Sequence, residues 1–305
     1  MSRRVITGVL FAGVLACGAW AVYTVEKDRA SLRSAMAADV PPEVTQPDRA
    51  SASAGAGGSS SPDHHGATPR SSGSVDSKSA DPVPAESGPI KPGEILDYSA
   101  NVSKLNSVAT LRLQVAARSD FLGKPAWHIQ AFAHTQNPLR MVFELDDRFD
   151  SYSDVDALTS FQYEMHLSER GQKVDSVQRM TVTGKEPASA GASQTHVLPG
   201  TRDPLGMMQF LRTVDWSKTP EIHGPVYDGH KLYEVRASLA GSESVTVAAG
   251  SFNTSKVNLR VFDNGAEMKD AKFSLYLSKD AARTPVLLEA VLPFADARVE
   301  LTKFR

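Results

Sequence analysis

The chain has 305 residues, 41% of them hydrophobic, with 33 basic and 35 acidic side chains. A near-neutral balance without a Lys/Arg cluster in the last two thirds excludes a phosphate-tracking surface, so nucleic acid is set aside as a partner. Its single cysteine, Cys17, lies in the N-terminal apolar run, which excludes disulfides and thiolate chemistry from everything after it.

Arg3 and Arg4 precede an uncharged, mostly apolar run from Val5 to Val25, which at helical rise spans roughly 31 Å, enough to cross a hydrocarbon core of about 30 Å. The positive pair lies before the run, so residues 1–4 are expected in the cytoplasm and the body of the protein outside it. Three readings of this segment stay open. Residues 5–25 read as an uncleaved signal anchor; Val14-Leu15-Ala16-Cys17 resembles a lipobox that would lipidate Cys17; Ala35-Met36-Ala37 resembles a signal cleavage site. The localisation expected is the bacterial inner membrane with a periplasmic domain, or a lipoprotein or secreted periplasmic protein. The membrane is itself an expected partner.

Residues 26–92 read as a linker. No Phe, Trp or Tyr occurs between Tyr23 and Tyr98, and Ala, Ser, Gly, Pro and Asp dominate from about Ala37 to Pro92, a composition that cannot offset its ordering entropy. The pair His64-His65 within it has no third ligand at fixed spacing and reads as solvated.

From 93 to 305 the pattern is that of strands. Residues 94–102 and 107–118 read as a pair, the second alternating Ala109, Leu111, Leu113 and Val115 with polar residues. Residues 127–134 carry bulk on both faces, residues 139–145 place Met141, Phe143 and Leu145 in register, and residues 149–154 give a short strand. Phe161 to Leu167 alternates strictly and turns at Gly171 into residues 174–182. Residues 184–194 read as a loop.

Asp203 to Trp216 is then the one convincing helix, placed near 203–214. Asp203 suits the N-cap, Pro204 the first helical position, and Leu205, Met208, Leu211 and Phe210 share a side. Beyond it, Asp228-Gly229 turns a hairpin, and residues 245–248, 255–262, 271–277, 286–292 and 298–302 complete about a dozen antiparallel strands. Such a meander curls into a barrel or half-barrel, with the helix in or across its mouth.

Several short motifs in this order carry a resemblance. Gly93-Glu94 with Tyr98, Asp203-Pro204-Leu205, Phe210-Leu211-Arg212, Asp228-Gly229, Gly250-Ser251-Phe252, Ser278-Lys279-Asp280, Arg283-Thr284-Pro285 and Glu300-Leu301-Thr302 resemble the bacterial domain-of-unknown-function 3108 family over about residues 93–302. Tyr276 stands where that family pattern leads one to expect Trp. The resemblance implies an envelope protein on a large curved antiparallel sheet, and no activity or catalytic residue.

Chemistry motifs are sparse. No Gly-x-Ser-x-Gly elbow occurs, and the six histidines after residue 100 lack helical metal-ligand spacing. No catalytic residue, metal or cofactor is assigned. Met207, Met208, Phe210 and Leu211 are the candidate contacts for an apolar ligand, because Met adapts to varied partners, though core packing explains the same stripe. Gly250, Ser251 and Phe252 are the candidate loop contacts, with a structural turn as the plainer account. Asp280 and Arg283 are expected to form a turn-fixing ion pair. The function expected is a non-enzymatic binding or scaffolding module that holds a lipid or other apolar ligand in a half-barrel. Its rivals are a protein-interaction scaffold with a filled barrel and, less favoured, an envelope polymer hydrolase.

Overall fold

The structure is a computed structural model that describes residues 88–141, 143–182, 191–293 and 295–305. The expected anchor with Cys17 and residues 26–87 of the expected linker, with His64 and His65, lie outside the described residues; the last residues assigned to that linker belong to the folded domain instead, with Ile90 buried in the core. Among the described residues no helix is long and apolar enough to cross a membrane.

Strands dominate. In chain order they are β1 (Ile95–Val102), β2 (Leu105–Phe121), β3 (Lys124–Thr135), β4 (Asp146–Asp154), β5 (Ser160–Glu169), β6 (Gln172–Thr181) and β7 (Ser193–His196), then helix α1 (Pro204–Thr213). After the helix come β8 (Glu221–Tyr227), β9 (Leu232–Val247), β10 (Gly250–Asp263), β11 (Ala266–Glu267), β12 (Lys272–Ser278), β13 (Pro285–Leu292) and β14 (Ala295–Phe304). All belong to one sheet ordered β7-β6-β5-β4-β3-β2-β1-β14-β13-β12-β10-β9-β8, with β11 on β10. The first and last strands of the meander therefore meet at its middle. The sheet is curved and its path is open between β7 and β8. An isolated parallel bridge, Arg202 to Val226, links the chain beyond β7 to β8.

Period-two patterning explains why the sheet curls around one core. In-register inward residues form continuous apolar rows, one running Val257, Leu275, Leu288, Val299, Ala100 and Ala109 across six strands. A slip of one residue anywhere would turn a strand's whole row outward.

Three local expectations are corrected. Residues 139–145 do not form a strand: Leu139–Met141 is a 3₁₀ turn after a cis Asn137–Pro138 bond. Helical-type bonds from Arg140 N to Gln136 O and Phe143 N to Leu139 O, each 2.8 Å, satisfy that backbone. Residues 245–247 are the end of the 16-residue β9, with Ala248 in the turn that follows; the strand continues through Gly241 at φ +149 because glycine tolerates that conformation. The last two residues of the expected 184–194 loop open β7, which pairs in parallel with β6.

The expected Asp-Gly hairpin is present. Asp228 Oδ1 accepts from the amides of His230 and Lys231 at 2.8 Å, and Gly229 adopts φ +99.

Candidate functional site

Helix α1 is seated by its ends. Asp203 is extended, and its Oδ1 accepts from the amides of Leu205 and Gly206 at 2.8 and 2.9 Å, the capping role its side chain suits. Its Oδ2 accepts from Ser151 Oγ at 2.5 Å, and its own amide donates to Ser160 Oγ at 2.7 Å. The cap is thus bonded to β4 and β5 as well as to the helix. Burial raises the Asp203 carboxyl, against the lowering effect of Ser151, Ser160 and the two helix amides. Gly206 permits the close approach, since a Cβ there would lie 2.9 Å from Ser153 Oγ and 3.1 Å from Leu158 O.

The C-terminal end is held by a buried guanidinium. Arg212 is fully buried and donates to both Glu94 oxygens at 2.6 and 2.7 Å, to Gln209 Oε1 at 2.8 Å, and to the carbonyls of Pro89 and Ala282. A bidentate arginine pair with its remaining donors largely used is the geometry in which a buried ion pair is tolerated. Arg283 reaches the same place: its Nη1 donates to the carbonyls of Arg212 and Thr213 at 3.1 and 2.9 Å. This corrects the expected Asp280–Arg283 ion pair. Asp280 Oδ1 accepts the backbone amides of Ala282 and Arg283, while the guanidinium is drawn to the helix carbonyls, the negative end of its dipole.

Between these ends the helix is enclosed more than an amphipathic stripe requires. Leu205, Met207 and Leu211 are at most 2% exposed, each contributing about 1.5–3 kcal/mol by burial. Gln209 and Arg212 are buried as well, because α1 lies inside the curl and contacts β3, β4 and β8. Met208 and Phe210 are partly buried.

The four candidate contacts therefore part company. Met208 lines a small apolar pocket with Leu205, Tyr98, Leu111, Leu275 and Leu288, among others. Met207 and Leu211 are core. Phe210 carries the guanidinium of Arg202 over its ring at 3.6 Å. Arg202 is itself held by Gly200 O and Ala157 O, and burial lowers its ionisation to about 10.

The pocket holds a cavity of about 30 Å³, against the roughly 10–15 Å³ that a single water needs. Its polar group is Tyr98, whose hydroxyl donates to Pro285 O at 2.9 Å and whose ionisation is pushed far up, chiefly by burial. Gly250, Ser251 and Phe252 open β10 at the turn from β9. Phe252 meets the Phe304 ring edge-on at 6.1 Å, and Ser251 Oγ bonds to Thr246. These contacts match the turn account.

A second constellation, not anticipated from helical spacing, lies on the opposite face of the sheet. Asp150 on β4 is in register with Gln130 on β3 and Glu164 on β5, while His166 faces Arg148 and Asp175. Asp150 Oδ1 accepts from His128 Nε2 and Gln130 Nε2 at 2.7 Å, and Arg148 donates to both its oxygens. Burial alone would raise this carboxyl; hydrogen bonds from His128, Arg148 and Gln130 hold it at about 2. His166 Nδ1 lies 2.7 Å from Asp175, and its Nε2 3.3 Å from Glu164. Burial lowers His166, but the two carboxylates outweigh it and the net shift is upward. The signal was in the sequence as Gln162-x-Glu164-x-His166 and Arg148-x-Asp150, since alternate residues of a strand share a face.

A curved, open, mainly antiparallel sheet wrapped, among the described residues, on a single capped helix defines this as a barrel-like β-domain. A family model described as Protein of unknown function (DUF3108) matches residues 97–302. The match covers more than half the chain, which belongs to that family. The residues that carried the resemblance meet at the helix: Glu94 and Arg212 pair directly, Arg283 caps the C-terminus, and Asp203 caps the start.

No curated protein matches the chain. Among solved structures it is similar to the beta-barrel-like protein of domain of unknown function DUF1849 from Brucella abortus, at 12% identity and TM-score 0.47, covering 70% of this chain and 98% of that one. It is also similar to a "putative lipoprotein" from Parabacteroides distasonis, at 12% identity and TM-score 0.34, covering 72% and 98% of the two chains. A third likeness is to a "putative exported protein" with YmcC-like fold from Bacteroides fragilis, at 10% identity, TM-score 0.28 and the same coverage.

Proposed function

We propose that this chain is a membrane-tethered envelope module, non-enzymatic, that acts through its outer surface as a protein-interaction scaffold. One observation carries this choice over the lipid-holding reading. The space left beside Met208 is about 30 Å³, whereas sites for small organic ligands usually measure about 300–1,000 Å³. The interior is occupied by Leu205, Met207 and Leu211 together with the inward rows of the sheet. A filled interior supports binding at the outer face and the sheet's edges. The Arg3-Arg4 pair and the apolar run after it support a periplasmic location.

The lipid reading keeps one point in its favour, the almost wholly apolar lining around Met208, and it requires α1 to move outward. Native mass spectrometry of the full chain purified gently from a bacterial envelope, with organic extraction and with crosslinking before lysis, separates the two. The scaffold predicts a mass free of lipid and a discrete crosslinked protein. Stoichiometric lipid would overturn it, and would make Met208 and Phe210 the next residues to substitute.

A further inference from the structure

We propose that the outer face of β4, β5 and β6 carries a binding site for a first-row divalent metal of the zinc class, with Asp150, Glu164 and His166 as its protein ligands. One ligand atom from each lies within 4.8 Å of the others. Zinc ligands at about 2.0–2.2 Å from the ion stand roughly 3–4 Å apart, so side-chain movements of about 1 Å close the set. Two carboxylate oxygens and one imidazole, with the fourth position left to water, make a donor set suited to zinc.

Two further observations point the same way. Asp175 Oδ1 sits 2.7 Å from His166 Nδ1, so the ring presents Nε2 toward Glu164. A metal-binding histidine is characteristically oriented by a carboxylate on its other nitrogen. The Gln162 side chain, 7% exposed, donates from Nε2 to Glu164 Oε1 at 2.5 Å, yet its own oxygen has no partner. A buried amide oxygen without a donor is costly, and a water on the metal is a donor of the kind it lacks.

Arg148 competes for the site. Its guanidinium donates to both Asp150 oxygens, at 2.7 and 2.9 Å, and supplies the positive charge that a metal would bring. Its side chain is 47% exposed whereas that of Asp150 is fully buried, so the arginine can leave to solvent and the aspartate cannot. Metal binding is then an exchange of one cation for another. Removing Arg148 should tighten it, which a merely structural network does not predict.

The test is a zinc titration of the full chain in detergent, with His64 and His65 replaced by alanine in every preparation, read by calorimetry and by competition with a chromophoric indicator. One site is expected, weakened about 10-fold or more by His166→Ala or Glu164→Gln and about 10-fold by Asp175→Asn. Arg148→Gln should strengthen it. Asp175 is an exposed surface residue, so its variant stays informative even if a ligand variant unfolds. The proposal is overturned if zinc up to about 100 µM, already weak binding, leaves the chain unoccupied. Equal affinity in the parent and in the His166, Glu164 and Asp175 variants overturns it too.

Discussion

Asp147 offers the sharpest test of how this sheet buries its polar groups. It lies on β4 opposite Ala133, in an inward row, and is 1% exposed. Its Oδ1 accepts from the Ser168 amide at 2.8 Å, while Oδ2 has no partner. Burial pushes its carboxyl up to about 7; the Ser168 amide opposes this, and Glu169 and Asp146 add to it. Relative to an ordinary carboxyl near 3.8, that corresponds to about 4 kcal/mol at about 1.4 kcal/mol per tenfold change in affinity for the proton.

The folded state holds this proton more tightly than the unfolded state. Its stabilisation is therefore complete below about pH 4, is lost as pH rises toward about 7, and stays lost above. Asp147→Asn keeps the shape and the acceptor for Ser168 but carries no charge. Urea unfolding of both proteins from about pH 4 to pH 8 should show near-equal stability at the acid end. At the alkaline end the variant should gain up to about 4 kcal/mol. A difference that does not change with pH, or a variant less stable at about pH 8, would refute the reasoning.

Three other outcomes follow from the seating of the helix. Arg212→Met leaves Glu94 without its bidentate partner and should cost about 3–5 kcal/mol in chemical denaturation; an unchanged midpoint would show the pair to be incidental. Gly206→Ala forces a methyl against Ser153 Oγ and Leu158 O and should cost about 1–3 kcal/mol. Part of that cost should return when Ser153→Ala is added, and no recovery would place the clash elsewhere. Met208→Ala enlarges the pocket rather than emptying a ligand site, so thermal unfolding should report about 2 kcal/mol, the low end for a partly buried side chain.

Much of the architecture was legible in the chain because strand and cap signals are local. Alternation at Leu111, Leu113 and Val115 has period two whatever surrounds it, and Asp203-Pro204 marks a helix start by its own hydrogen-bonding capacity. Leu139 to Leu145 misled because Met141, Phe143 and Leu145 alternate in sequence. There the backbone found its partners within a turn, so Met141 is left exposed while Phe143 and Leu145 are buried.

The outer constellation escaped for a different reason. His166, Glu164 and Asp150 come from two strands, and only the register of β4 against β5 sets them side by side. Register is a property of the whole sheet, chosen by which residues must face the core.

By itself, then, the sequence determined the class of fold, the place of the helix and the family, since each rests on short-range patterning or ordered motifs. Tertiary structure alone decided that Arg212 would meet Glu94 118 positions away and that Arg283 would turn from Asp280 to the helix. It also decided that the space beside Met208 would close to about 30 Å³. Those outcomes depend on how closely a curled sheet can pack around one helix, and the shape of that contact is written in no single segment of the chain.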